Sequence, residues 1–390
     1  MICNRHDVLV FQAARVAATL ALVSCGSVEL SDGAGSTGAP TSPASGKEAS
    51  TPARPALAQG TQTKDSWRQI MSRNHVPSAG CFRVSYPSTN WEKIPCVTAP
   101  PGPHAPRSAS ASGAATPNVV GGDFGAFSVN SSTPINESDG SFPEVTGVTS
   151  EPDAFSLQLN TNFFYGVCFA PNCHGWQQFI YSNSGNHLVS GSGGTNGALY
   201  IEYWLVNYGG CPDGWTPFGN SCYLDSSAVP VPTQTILNLS HLYLGALALF
   251  DPAHPSDLEK DYVTLGTADS LYAMSATSRF NLDVARLWTS TQFNVFGDTS
   301  GNRAHFNSGT TVAVQTRIDN SHTHPTGSPT CVLGESTTAE SNNLNLLPAS
   351  CCAIGGPGPT ALFVESNSAA LPQVPFCLLN DITATQSPLF

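Results

Sequence analysis

Between Asn118 and Glu365 the chain is cut into short runs of alternating or β-branched residues separated by Gly, Asn and Ser clusters, and that punctuation restricts it to a β architecture. The runs are Phe155–Asn160, Trp176–Ser182, Ala198–Tyr208, Thr235–Leu239, Tyr262–Leu265, Trp288–Phe296, Thr311–Arg317 and Ala361–Glu365. Only Asp283–Trp288 reads as a helix, of about two turns. Composition points the same way: charged residues make up 11% of the chain while Gly and Pro number 35 and 30, a balance that argues against helical bundles and coiled coils. The reading is all-β, a jelly-roll-like sandwich of two antiparallel sheets spanning 119–390.

The first 25 residues have the layout of an export signal: Arg5 and Arg15, the apolar run Val16–Val23, then Ser24-Cys25-Gly26. Leu22-Val23-Ser24-Cys25 also resembles a bacterial lipobox, so the alternatives are simple cleavage and a lipid anchor through Cys25. No later stretch reaches the roughly 18 apolar residues of a membrane span. Residues 26–64 form a Ser/Thr/Ala/Gly/Pro-rich tether with too few large apolar side chains to build a core. A small segment, 65–107, follows, with Trp67, Ile70, Phe82, Tyr86 and Trp91, and a linker at 108–118 leads into the sandwich.

Ten cysteines lie beyond the export signal, an even number that in an exported chain reads as disulfides. Spacing suggests Cys81/Cys96, Cys168/Cys173 and Cys211/Cys222; Cys331, Cys351, Cys352 and Cys377 stay unassigned, and no zinc-type Cys or Cys/His spacing appears. Charge divides at Arg107. Residues 1–107 hold ten of the 15 Lys and Arg and six of the 27 Asp and Glu, which leaves five and 21, a balance of −16, for 108–390. A basic segment ahead of an acidic body is a zymogen arrangement, in which 65–107 is a removable pro-segment whose Arg68, Arg73, Arg83 and Lys93 pair with carboxylates of the body. The acidic body excludes nucleic acid as a partner.

If Ala198–Tyr208 is a strand, alternation puts Tyr200, Glu202, Trp204 and Val206 on one face. A carboxylate between two aromatics in mid-strand is costly to bury unless it is paired or faces a cleft, so Glu202 is the first candidate for chemistry. The same rule groups Trp288, Gln292 and Asn294, and pairs Trp176 with Gln178. Taken together these strands, over roughly 155–300, resemble the glutamic peptidases of the eqolisin type, acid-acting enzymes with a concanavalin-like sandwich and a Glu/Gln pair on an aromatic-lined face. The resemblance implies Glu202 and Gln292 as the catalytic pair, with the two residue types exchanged relative to the family. It also implies Trp176, Gln178, Tyr200, Trp204 and Trp288 as the substrate-binding lining, and a polypeptide substrate without metal or cofactor.

A Glu can act as base toward water in acid while a Gln amide donates to the developing oxyanion. Glu144, Glu151 or Glu365 could instead partner Glu202 in a two-carboxylate site of the glycosidase kind. Carboxylates beside aromatics also suit sugars, so a carbohydrate-active or lectin-like protein is the rival reading. Trp204 separates the cases: lining a cleft, it supports chemistry at Glu202; dry, with Glu202 held by an internal donor, it supports a structural role. Gly-x-Ser-x-Gly is absent, and Gly297-Asp298-Thr299-Ser300-Gly301 has Thr299 where a nucleophilic serine would sit. His322 and His324 are a weak metal motif. The sequence as a whole predicts a secreted or envelope-bound monomer.

Overall fold

The computed structural model describes residues 63–107, 119–346 and 352–368, apart from Arg73 and short loops inside those ranges. The export signal with Cys25, tether residues 26–62, the linker 108–118, Glu151, His322, His324 and Cys377 lie outside the described residues.

The chain is an antiparallel β-sandwich, as the alternation predicts. The sheet that carries the candidate site is built from β1 (Gly125–Asn130), β2 (Ser156–Thr161), β3 (His174–Ser182), β4 (Gly197–Val206), β5 (Ser221–Asp225), β6 (Ser227–Val231), β7 (Ser290–Phe296) and β8 (Thr330–Glu335). Its spatial order is β8–β1–β7–β2–β3–β4, with β5 and β6 pairing with the two ends of β4. The second sheet is centred on Glu137–Thr146, flanked by Tyr243–Leu249 and Thr311–Asp319. It continues through Lys260–Gly266 and Ser270–Thr277 on one side and Thr360–Ser366 on the other.

The core lies between the sheets. Leu157, Leu159, Phe179, Tyr181, Leu199, Ile201 and Tyr203 meet Leu244, Val263, Leu265, Val312, Val314 and Phe363 in one buried cluster. Phe142 and Phe293 meet across it with centroids 5.0 Å apart, and Phe127 and Phe363 at 4.8 Å. With alternate residues of β2, β3 and β4 facing inward, the intervening residues must all share the other face.

Three expectations fail locally. Thr235–Leu239 is not a strand: the Thr235 hydroxyl accepts from the Leu237 N–H and caps a 3₁₀ helix at Ile236–His241. A helix at Lys64–Ser72 was not anticipated; it buries Trp67 and Met71 against Val84, Tyr243 and Leu271. The helix near Asp283 spans Val284–Leu287, so the following strand starts only at Ser290.

Segment 65–107 is held mainly by strand pairing rather than by charge. Gly80–Ser85 pairs along its whole length with Ser270–Thr277 and extends the second sheet. Arg83 pairs with Glu92 and Arg68 with Asp65, both inside the segment, while Lys93 lies over the Phe82 ring. Among the described residues Arg107–Glu335 and, with a protonated ring, His104–Asp298 reach the body from the segment, and Lys64 just ahead of it pairs with Asp269. The disulfides Cys81–Cys96, Cys168–Cys173 and Cys211–Cys222 form as the spacing suggested, and Cys331 is disulfide-bonded too. These bonds fit a chain that folds in an oxidising compartment. No helix among the described residues is long and apolar enough to cross a membrane.

Candidate active site

Five polar side chains stand directly opposite one another on neighbouring strands, on the face turned away from the core. The row runs Asp225 (β5), Glu202 (β4), Gln178 (β3), Asn160 (β2) and Gln292 (β7). Opposed side chains in such a ladder lie about 5 Å apart and interact. The row is flanked by Trp176 and Trp204 on one side and Ile180 and Tyr200 on the other, as period-two alternation requires.

A strap of the chain itself, residues 97–107, covers this face. Val97 and Thr98 pair with β6, and Val97 and Ala99 pack on Ile180, Ala198 and Tyr200. Ala105 packs with Ala339 on Trp176 and Trp204. The Pro103 carbonyl accepts from the Ser300 N–H at 3.1 Å, the Ala105 carbonyl from Ala339 N–H at 2.9 Å, and the Arg107 N–H donates to the Thr337 carbonyl at 2.9 Å.

Between these anchors the His104 main chain meets Glu202 and Gln178. The His104 N–H donates to Glu202 Oε1 at 3.0 Å, and the same oxygen accepts from Trp204 Nε1 at 2.8 Å. Gln178, turned so that its Nε2 faces these acceptors, donates to the His104 carbonyl at 2.6 Å and to Glu202 Oε1 at 3.0 Å. Glu202 and Asp225 share a hydrogen bond between their carboxyls. Burial, reinforced by the Asp225 charge, holds the Glu202 carboxyl well above its ordinary range. Burial also pushes Asp225 up to about 6, against the pull of its hydrogen bond with Glu202. Adjacent carboxyls of this kind titrate as a pair and hold one proton between them over a wide pH range.

No family model matches the chain, and no curated protein is similar to it in sequence. Among solved structures it shows a weak likeness to SCP-B, described as a member of the eqolisin family of peptidases in a complex with the tripeptide Ala-Ile-His. Identity is 8% and the TM-score 0.27, over 63% of this chain and 98% of that one.

Of the residues singled out from sequence, Trp176, Gln178, Tyr200, Glu202 and Trp204 come together as alternation predicts. Gln292 does not join them. It lies on the same face but three strands from Glu202, roughly 14 Å at the usual strand spacing. Its amide is also fully used: Nε2 donates to Ser128 Oγ and the Glu335 carbonyl, each at 2.9 Å, and Oε1 accepts from Thr337 N–H and hydroxyl. Trp288 is a correction of another kind. It caps the Val284–Leu287 helix instead of starting the strand, so it escapes the alternation and stacks on Phe179 in the core, 5.8 Å between centroids.

Trp204 is fully buried and Glu202 has internal donors, the outcome that favours a structural role, but the groups that bury them include the strap as well as the sheet. Glu144 is exposed on the second sheet, and Glu365 is buried on Asn294 Nδ2 at 3.1 Å. Asp225 was missed, although the alternation of Ser221–Asp225, with Tyr223 opposite Trp204, would have found it. No group of three or more His, Cys, Asp or Glu side chains arranged to hold a metal occurs among the described residues.

Proposed function

We propose that the chain is an exported, acid-acting endopeptidase made latent by its own strap, with Glu202 and Asp225 as a proton-sharing pair and Gln178 as the donor to the carbonyl under attack. One observation carries this reading: an extended peptide segment lies across the polar row with its His104 N–H on Glu202 and its His104 carbonyl on Gln178. Gln292, whose amide is committed elsewhere, has no part in the reaction. Trp176 and Trp204 are buried against each other, Phe163, Tyr223 and Ala105 rather than displayed as stacking platforms, so no observation favours a sugar ligand.

In the proposed reaction, water adds to the carbonyl carbon and passes its proton to the Asp225 carboxylate. Negative charge on the carbonyl oxygen is met by the Gln178 amide N–H. Glu202 gives its proton to the departing nitrogen as the C–N bond breaks, leaving an acid and an amine. The strap has the His104 N–H on Glu202 instead of the nitrogen that follows the His104 carbonyl, so a cleaved substrate sits shifted from the strap's register. Asp225 must be ionised and Glu202 protonated. Burial is the largest cause of both raised pKa values, so uncovering the face lowers both and moves the working window toward acid.

The test is digestion of casein and of polysaccharide by the full chain from pH 3 to 7. Casein is expected to be cut in acid after a lag while the strap leaves. Glu202→Gln is expected to lower the rate about 10³-fold or more, and Gln178→Ala about 10²-fold, both with unchanged circular dichroism. Equal rates for Glu202→Gln and the parent, or digestion of polysaccharide but not casein, would end the proposal.

A further inference from the structure

We infer that the chamber holding the His104 ring is a side-chain specificity pocket for histidine in a bound peptide, and that the strap is the ligand it holds in cis. This rests on the reading of the Glu202 face as a peptide-binding site but does not require that the face be catalytic.

The His104 ring is fully buried, hydrogen-bonded at one nitrogen and faced by a carboxylate at the other. Nδ1 lies 3.1 Å from the Tyr200 hydroxyl and Nε2 3.4 Å from Asp298 Oδ1. His104 Nε2 and Asp298 Oδ1 are both buried and neither has a hydrogen bond, so their approach is an ion-pair contact of a protonated ring. A phenyl ring fills a similar volume but would take from the Tyr200 hydroxyl its hydrogen bond and from the Asp298 carboxylate the cation that faces it, and a polar pocket discriminates strongly against a ligand that leaves its buried groups so. Glu340 and Asp225 add negative charge around the ring, and together with Asp298 they outweigh the burial that disfavours an imidazolium. The pocket therefore takes a flat, cationic ring with donors at two positions.

The pocket is also built for its task in the backbone. Thr299, Ser300 and Gly301 all take left-handed conformations, with φ of 58°, 52° and 72°. Two of the three are not glycine, and such residues adopt this region only where their surroundings impose it, often at a ligand clamp. The turn they form presents Asp298 to the ring and the Ser300 N–H to the Pro103 carbonyl. It is tied to Glu340, whose Oε1 accepts from the Gly301 N–H at 3.0 Å while its other oxygen takes the Thr338 hydroxyl. Main-chain bonds at Pro103, His104, Ala105 and Arg107 fix the register, as in peptide recognition by added strands, so that one residue of the ligand reaches the pocket.

The experiment uses the full chain with His104→Ala and free imidazole as the probe. Imidazole at millimolar concentration is expected to raise the melting temperature of His104→Ala but not of the parent, whose pocket is filled. Benzene should have no such effect, and Asp298→Asn added to His104→Ala should abolish the imidazole response. Equal rescue by benzene, or none by imidazole, would overturn the assignment. Should His104→Ala not fold, amide exchange on the parent and on Asp298→Asn replaces it: His104 and Arg107 amides should exchange at least tenfold faster in Asp298→Asn, and unchanged exchange sinks the pocket. The two readings of the face part cleanly. Imidazole rescue in a chain that cuts no peptide keeps the pocket and removes the peptidase, whereas cleavage of peptides with no preference for His over Phe keeps the peptidase and removes the pocket.

Discussion

Raising the pH from 4 to 8 is expected to destabilise the folded chain by several kcal/mol, with the maximum of stability in acid. Four buried carboxyls, Asp139, Glu202, Asp225 and Glu365, are all pushed upward, with burial the largest cause in each. Glu365, moved from 4.5 to about 8, has the hydrogen bonds of Asn294 and Asn342 pulling it down and burial overriding them. A carboxyl whose folded pKa exceeds its unfolded one binds a proton more tightly in the folded state. Its contribution is fully present below the unfolded value near 4 and is lost as pH climbs through the folded value. For Glu365 the loss is on the order of 4 to 5 kcal/mol by pH 8. His104 adds to the trend: its imidazolium is favoured in the fold, so its help ends as pH passes its raised value. His174, lowered by partial burial, runs the other way.

Denaturant unfolding between pH 3 and 9 measures this. The expected curve falls through the window from about 4 to 8, and Glu365→Gln, which keeps an acceptor for Asn294 and removes the charge, should flatten much of it. A stability that rises over that window, or a Glu365→Gln variant with the parent's pH dependence, would contradict the assignment.

Gly140→Ala is the second large effect. Gly140 lies on the central strand of the second sheet, opposite Leu244 on one side and Thr316 on the other. A Cβ there would fall 2.0 Å from Phe293 Cγ. Phe293 packs on Phe142 across the core, and Gly140 is held by strands on both sides, so neither can move aside readily. The expected cost is roughly 3 kcal/mol or more, at or beyond the usual overpacking range. Thermal unfolding of Gly140→Ala, Phe293→Leu and the pair measures it. The double variant should be more stable than the sum of the singles predicts, because Leu leaves room for the new methyl group. A Gly140→Ala protein as stable as the parent would mean that the two sheets are not packed at this point.

Alternation alone placed Tyr200, Glu202 and Trp204 on one face of their strand, and it did so because side chains of a β-strand must alternate whatever they pack against. For the same reason the strands, the sandwich class and the three local disulfides could be read from spacing. Trp288 shows where that logic stops: a four-residue helix ahead of β7 resets the phase and sends the ring into the core. Strand neighbours are not written in local sequence at all. Glu202 meets Gln178 and Asp225 rather than Gln292 because β3 and β5 lie beside β4 while β7 lies beyond β2, an order set by long-range pairing. The zymogen idea came from a charge division in the sequence, but what covers the Glu202 face is a strap seated by backbone hydrogen bonds, which every residue but proline can donate and which leave no compositional trace. The sequence by itself determined the sandwich and the face on which Glu202 stands; the tertiary structure decided its neighbours and brought His104, nearly a hundred positions away, to lie across it, because contacts between distant segments depend on how sheets stack and loops close rather than on any local periodicity.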